Sequence, residues 1–205
     1  MRYPGFNEIH GGAPEARSGT KVGRIPGEAG VWILIFGEMS VFAALFGSFL
    51  YYRGFDVVGF KASQAALSKP TGLANTLLLL TSSLFVAMAV RAASRAQTQM
   101  APRLFAAGLL CGLCFVALKG FEYHALFAQG IAVDTNAFFG FYFGLTALHL
   151  GHVIIGSAFL CALSLATRRP LARASHLMLV ESAGCFWHMV DLLWIIIFAL
   201  LYLVE

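Results

Sequence analysis

Five apolar stretches, at about residues 29–52, 73–93, 103–125, 138–166 and 180–203, dominate this 205-residue sequence. Each has the length a helix needs to cross a hydrocarbon core of about 30 Å, roughly 20 residues. The breaks between them are polar: Arg53 to Lys69-Pro70, Arg91 to Pro102-Arg103, Asp134-Thr135-Asn136, and Arg168-Arg169-Pro170 to His176. Pro70, Pro102 and Pro170 all fall at span boundaries, where a missing backbone donor costs little. With 59% hydrophobic and 12% charged residues, the chain has too few polar side chains to clothe a water-soluble core. The expected fold is all-α, a polytopic membrane protein whose five-helix bundle occupies residues 29–205 behind a polar tail at 1–28.

Orientation follows from the Lys/Arg bias. An odd number of spans puts the tail (Arg2, Arg17, Lys21, Arg24) on the same side as the second and fourth breaks (Arg91, Arg95, Arg103; Arg168, Arg169, Arg173). That side carries ten basic residues, against three (Arg53, Lys61, Lys69) on the other. The N-terminus is therefore expected inside and the C-terminus outside. The net charge of +4 is scattered between apolar runs with no basic stripe, so nucleic acid is not an expected partner. Cys111, Cys114, Cys161 and Cys185 lie within apolar runs and read as small buried hydrophobes. The first apolar run is too long, and follows too long a tail, for a cleavable signal. No internal repeat of 20–50 residues is found, which withholds support from inverted-repeat transporters.

Ionisable side chains inside the spans are the informative feature. The first span has Glu38; the third has Lys119, Glu122 and His124; the fourth has His149 and His152; the fifth has Glu181, His188 and Asp191. A mid-span Asp or Lys costs about 2.5–3.5 kcal/mol on the insertion scale. The twelve Leu, Ile, Val and Phe residues between Phe186 and Val204 offset that cost for Asp191, by about 4–7 kcal/mol, but its carboxyl still needs a partner. Lys119/Glu122, His149/His152 and His188/Asp191 are i, i+3 pairs, so each shares one helix side. Glu181 lies seven residues before His188 on the same stripe. At 1.5 Å per residue, His149 and Asp191 both reach the middle third of the bilayer. The expectation is one buried polar network between spans three, four and five.

Three uses of such a network stand open on residues alone. The groups can be packing glue that fixes helix register. They can be metal or haem ligands, with His149, His152, His188 and Glu122 suitable by type. They can form a proton or ion path. Gly108-x-x-x-Gly112 and Gly140-x-x-x-Gly144 are expected to allow close helix approach within the bundle, and Trp32, Tyr51, Tyr52 and Tyr202 to anchor span ends. No soluble catalytic motif is present: neither Gly-x-Ser-x-Gly, a P-loop nor His-Glu-x-x-His occurs.

Several segments resemble subunit III of the haem-copper (cytochrome c) oxidase family. Leu145-Thr146-Ala147-Leu148-His149-Leu150-Gly151-His152-Val153-Ile154-Ile155-Gly156 looks like a helix signature of that family. Phe186-Trp187-His188-Met189-Val190-Asp191-Leu192-Leu193-Trp194 is similar to its C-terminal span. Phe121-Glu122-Tyr123 and Asn75-Thr76 also match, so the resemblance runs in order from about residue 29 to the end. It implies the five-helix form and a non-catalytic role: an accessory subunit beside the catalytic haem-copper subunit I and other oxidase subunits, in a bacterial inner (plasma) membrane. It further implies no cofactor on this chain, phospholipid bound in a cleft, haem and copper in partner subunits, and support of proton uptake. Glu38, Glu122, His149, His152, Glu181, His188 and Asp191 would then be structural or lipid-cleft residues, with no catalytic or metal-binding residue.

The segments Ile25-Pro26-Gly27-Glu28-Ala29-Gly30-Val31-Trp32 and Leu73-Ala74-Asn75-Thr76-Leu77 resemble the branch associated with nitric oxide reductase, which is the alternative within the family. A haem-binding membrane electron carrier and a proton-coupled transporter are the alternatives outside it. One departure is clear. Many members carry a Glu five residues before the Asn-Thr pair, where this chain has Pro70, so no role of that carboxylate carries over, and Glu38 is the alternative by type.

Overall fold

A computed structural model describes residues 29–169 and 174–204. The polar tail at 1–28 lies outside the described residues, as do Pro170 and Arg173 of the fourth break. Among the described residues, six helices and one π turn succeed one another: α1 (Ala29–Phe55), α2 (Val57–Gln64), α3 (Lys69–Ser94), α4 (Met100–Ala128), α5 (Ala137–Ala166), α6 (Ala174–Phe198) and the turn Ala199–Leu203. Five elements are long and apolar enough to cross a membrane: Gly30–Phe55, Lys69–Ser94, Met100–Ala128, Ala137–Ala166 and Ser175–Leu203. These are the five expected spans, and the chain is a multi-pass membrane protein. Their lipid-facing surface is apolar, with Ile33, Phe36, Leu84, Leu110 and Ile154 each more than half exposed.

Local chemistry sets where the helices begin. Ser68 caps α3, its Oγ accepting from Thr71 N at 3.4 Å, and Pro70 sits in the first turn, where its missing N–H is no loss. Asn136 caps α5 by accepting from Phe139 N at 3.0 Å. Asp56 does the same for α2 through Gly59 N at 2.9 Å. The short helix α2 has no counterpart among the expected elements and occupies the first break. Its Phe60 and Gln64 are one turn apart and buried, and Phe60 packs its ring on Phe49 and Phe138.

Helices α3, α4, α5 and α6 form a four-helix bundle in which α3 touches α4 and α6, and α5 touches the same two. The first span lies against α5 and α6. Burial ranks the spans: 61% of the most apolar window of the last one is buried, against 11% for the first. Arg53, at the end of α1, donates through Nη2 to the Val204 carbonyl at 3.4 Å, so the first and last spans finish at the same end of the bundle.

Small residues set the closest approaches. A Cβ at Gly156 would lie 2.6 Å from Trp187 Cε3, and one at Gly112 2.9 Å from Trp187 Cη2, so one indole is clamped between α4 and α5. Gly108 lets Ser82 Oγ reach its carbonyl at 2.8 Å. The Gly108/Gly112 pair therefore works as expected, but Gly140/Gly144 does not. Gly144 meets nothing within 4 Å, because that face of α5 points out of the bundle.

Gly156→Ala forces a methyl into a rigid, fully buried indole and is expected to cost about 1–3 kcal/mol of stability. Gly151→Ala, on open surface of the same helix, should be neutral or slightly stabilising. Thermal unfolding of the two variants in detergent checks the contrast.

Candidate functional site

The most buried charge belongs to α4. Lys119 is 1% exposed, and its Nζ donates to Glu122 Oε2 at 3.0 Å, Tyr202 Oη at 3.0 Å and Tyr142 Oη at 3.2 Å. Tyr202 in turn donates to Glu122 Oε1 at 2.6 Å. All three ammonium hydrogens and both carboxylate oxygens therefore have partners inside the protein. Four rings also surround the ammonium, with centroids 4.9 Å (Tyr142), 5.0 Å (Trp194), 5.6 Å (Tyr202) and 5.7 Å (Tyr123) away. Their negative faces add cation–π attraction where no water competes. Each side of this cage comes from a different helix: Lys119, Glu122 and Tyr123 from α4, Tyr142 from α5, Trp194 from α6 and Tyr202 from the π turn. The turn closes through Val204 N to the Ala199 carbonyl at 3.0 Å, and it also presses Tyr202 onto Gly72 of α3.

A second pair joins α1 to α5. His152 Nε2 lies 3.1 Å from Glu38 Oε2, while its Nδ1 is 2.8 Å from the Leu148 carbonyl. A carbonyl can only accept, so Nδ1 carries a hydrogen and a single proton is left to be shared between Nε2 and the Glu38 carboxyl. The contact is therefore either an imidazolium–carboxylate pair or a neutral acid–imidazole hydrogen bond, attractive in both forms. Phe42, fully buried beside the His152 ring, keeps this junction apolar around its polar centre.

The third group joins α3 to α6. Ser83 Oγ is 2.7 Å from His188 Nδ1, and Asp191 Oδ2 is 4.0 Å from the same nitrogen. Asp191 is 4% exposed and faces His188 without touching it, beside the Ser83 hydroxyl. About two turns further along the same pair of helices, Trp194 Nε1 donates to Thr76 Oγ1 at 3.1 Å, and Thr76 passes its own hydrogen to the Gly72 carbonyl.

His149 stands apart. It is fully buried, neither ring nitrogen has a partner, and its ring lies against Phe115 (5.7 Å) and Trp194 (5.3 Å). Glu181 is half-buried on α6, while His124 points outward from α4. Among the described residues, no group of three His, Cys, Asp or Glu side chains could hold a metal ion.

The polar side chains thus differ from the single network expected between spans three, four and five. They divide into separate junctions that involve all five spans, and Trp194 stands between the cage and His149, in ring contact with both. Tyr142, Tyr202 and Ser83 are partners that sequence reasoning misses. Charge is the signal it uses, and a Tyr or Ser in an apolar run carries no such mark. Spacing from Lys119 or His188 cannot reveal them, because each comes from another helix.

Glu122 also lines a cavity of about 290 Å³, together with Leu67, Ser68, Thr71, Phe121 and Gln129, where α2 and α3 meet the end of α4. A neighbouring cavity of about 500 Å³ shares Leu67 and Ser68 and is bordered by Lys61, Gln64 and Lys69.

Comparison with known proteins covers nearly the whole chain. Residues 18–205 match the family described as Cytochrome c oxidase subunit III. The cytochrome c oxidase subunit 3 of Alkalihalophilus pseudofirmus is 29% identical over 175 residues, covering 85% of this chain and 84% of that protein. That of Synechocystis sp. is 27% identical over 202 residues, covering 98% and 81%. A cytochrome bo(3) ubiquinol oxidase subunit 3 from Buchnera aphidicola is 26% identical over 174 residues, covering 85% and 84%.

Lys119→Met strands the Glu122 carboxylate in the bundle and is expected to cost about 3–5 kcal/mol. The double variant Lys119→Met with Glu122→Leu should regain much of that loss, since an apolar pair leaves no stranded charge. Unfolding in detergent micelles measures the cycle, and two single variants as stable as the parent would refute the cage.

Proposed function

The chain belongs to the cytochrome c oxidase subunit III family, and from that membership we propose that it is a non-redox accessory subunit of a respiratory haem-copper oxidase. It packs beside the catalytic subunit, stabilises it, holds phospholipid and supports proton uptake, while haem and copper reside in partner subunits. The supporting observation is the way its ionisable groups are used. Lys119 is neutralised by Glu122 on its own helix, Glu38 of α1 faces His152 of α5, and Asp191 faces His188 on α6, so these groups are matched to one another within the protein. Relatives carrying this subunit are named for both cytochrome c and ubiquinol oxidases, which makes its contribution separable from the choice of electron donor. The matches lend no support to the nitric-oxide-reductase branch. Against a haem carrier stands His149, whose ring is packed between Phe115 and Trp194 and offers no open axial position.

The phospholipid reading is supported by the two adjoining cavities at the α2–α3 corner. Lys61, Lys69 and the capping Ser68 stand at a span end, at headgroup depth, where a phosphate would lie. The apolar lining of Leu67, Phe121 and Leu126 suits the start of an acyl chain. In this reading the membrane is the bacterial plasma membrane, and the basic second and fourth breaks support an N-terminus on its cytoplasmic side.

Affinity purification in mild detergent tests the assignment. The chain should elute with partner chains that carry haem and copper, and a chain that elutes alone contradicts it. Asp191→Leu should leave the initial turnover of assembled enzyme unchanged while lowering the yield of complex or its lifetime during turnover. Complete loss of turnover in fully assembled enzyme would instead give Asp191 a role in the chemistry.

A further inference from the structure

His188 is 41% exposed at its side chain, yet it lies 13 residues after Ser175 and 15 before Leu203, the two ends of the last span. At 1.5 Å per residue that is about 20 Å from either end, the middle of the bilayer. Other ionisable groups at comparable depth are hidden or paired. His149 is fully buried, Asp191 is 4% exposed, and the partly exposed Glu38 meets His152 at 3.1 Å. The His188 ring is held from one side only, by Ser83 Oγ at 2.7 Å from Nδ1 and Asp191 Oδ2 at 4.0 Å. Its Nε2 has no partner among the described residues and is not enclosed. The surrounding surface is apolar: Leu80 and Leu84 on α3, and Leu192 and Ile195 on α6, are 38–59% exposed.

The groups that can meet Nε2 at this depth are narrowly constrained. Lipid headgroups lie about half a bilayer away, acyl chains offer no hydrogen bond, and the lipid-facing surface holds no water. The remaining source is another polypeptide. An apolar helix seam with one polar group at its centre is also the arrangement by which transmembrane helices associate. If Ser83 donates to Nδ1, then Nε2 carries a hydrogen and seeks an acceptor. If Nδ1 donates instead, Nε2 seeks a donor. A hydroxyl or a carboxamide satisfies either state.

We propose that the α3–α6 seam centred on His188 is the face that receives the catalytic partner, through a transmembrane helix bringing a hydroxyl or carboxamide side chain to His188 Nε2. Ser83 and Asp191 are positioning residues that hold the ring with this nitrogen outward. The proposal rests on the accessory-subunit reading and adds to it which surface makes the contact.

Photo-crosslinking in the intact complex separates the two claims. A photoreactive amino acid is placed at Leu84 or Leu192, and for comparison at Leu110 or Leu113 on the exposed side of α4. The seam positions should give at least about five-fold more crosslinked haem-bearing partner than the α4 positions, for a contact in the usual energy range of membrane helix pairs. The reverse ratio overturns the proposed face and leaves the accessory role standing, because the partner still co-purifies. A chain that purifies without any haem-bearing partner overturns both. In parallel, His188→Leu should lower the yield of co-purified partner about five-fold, while His188→Gln, which keeps a hydrogen-bonding group, retains it. Partner yield unchanged in His188→Leu contradicts the proposal, and if that variant melts early the crosslinking ratio and the His188→Gln yield decide.

Discussion

An ammonium group cannot rest inside a hydrocarbon layer unless the protein replaces everything water would have given it. That requirement, met at Lys119, organises the bundle. Three hydrogens need three acceptors, and the positive charge needs a negative one within about 3 Å. Glu122, one turn along α4, supplies the charge, but a single helix face cannot surround an ammonium. The other acceptors and the aromatic walls must come from α5, α6 and the π turn, so the cage exists only when those elements sit in one register. The energetic consequence lies in the asymmetry of buried pairs: forming one is close to neutral, whereas leaving either member alone is costly. The cage therefore acts less as a source of stability than as a penalty on every misaligned arrangement of these helices.

The π turn at Ala199–Leu203 makes sense in that light. The inserted residue of a π turn rotates the residues after it by about 100° relative to a regular helix. Here the turn carries Tyr202 to a position where its hydroxyl accepts from Lys119 and donates to Glu122, while its ring seats on Gly72. Gly72 tolerates the ring because it has no Cβ. A small residue near the start of α3 and an irregular turn at the end of α6 are thus two parts of one fit.

Much of the fold was legible because the bilayer imposes a length and forbids unpaired backbone, and apolar runs record both. The five spans and the crowded Gly108/Gly112 face could be read from residue types alone. So could the i, i+3 partnership of Lys119 with Glu122, which is local. Sequence spacing could not supply the third dimension. His149 and His152 share a side of α5 by spacing, yet one packs among aromatic rings and the other reaches Glu38 on α1. Ser83, Tyr142 and Tyr202 look like ordinary members of apolar runs until the helices are brought together. The short α2 escaped for a different reason. Its eight residues are too few to show a period, and its order comes from Phe60 packing on rings of α1 and α5.

The distribution of polar side chains carries the last step. Among the described residues, Glu38 and His152 tie α1 to α5, Ser83 and His188 tie α3 to α6, and the Lys119–Glu122 pair of α4 gathers Tyr142 and Tyr202. Such contacts fix helix register. His188 departs from that pattern by keeping a ring nitrogen free on the outer surface, in the middle of the membrane. An imidazole nitrogen left outward at mid-depth is the condition expected of a subunit whose neighbour is another membrane protein.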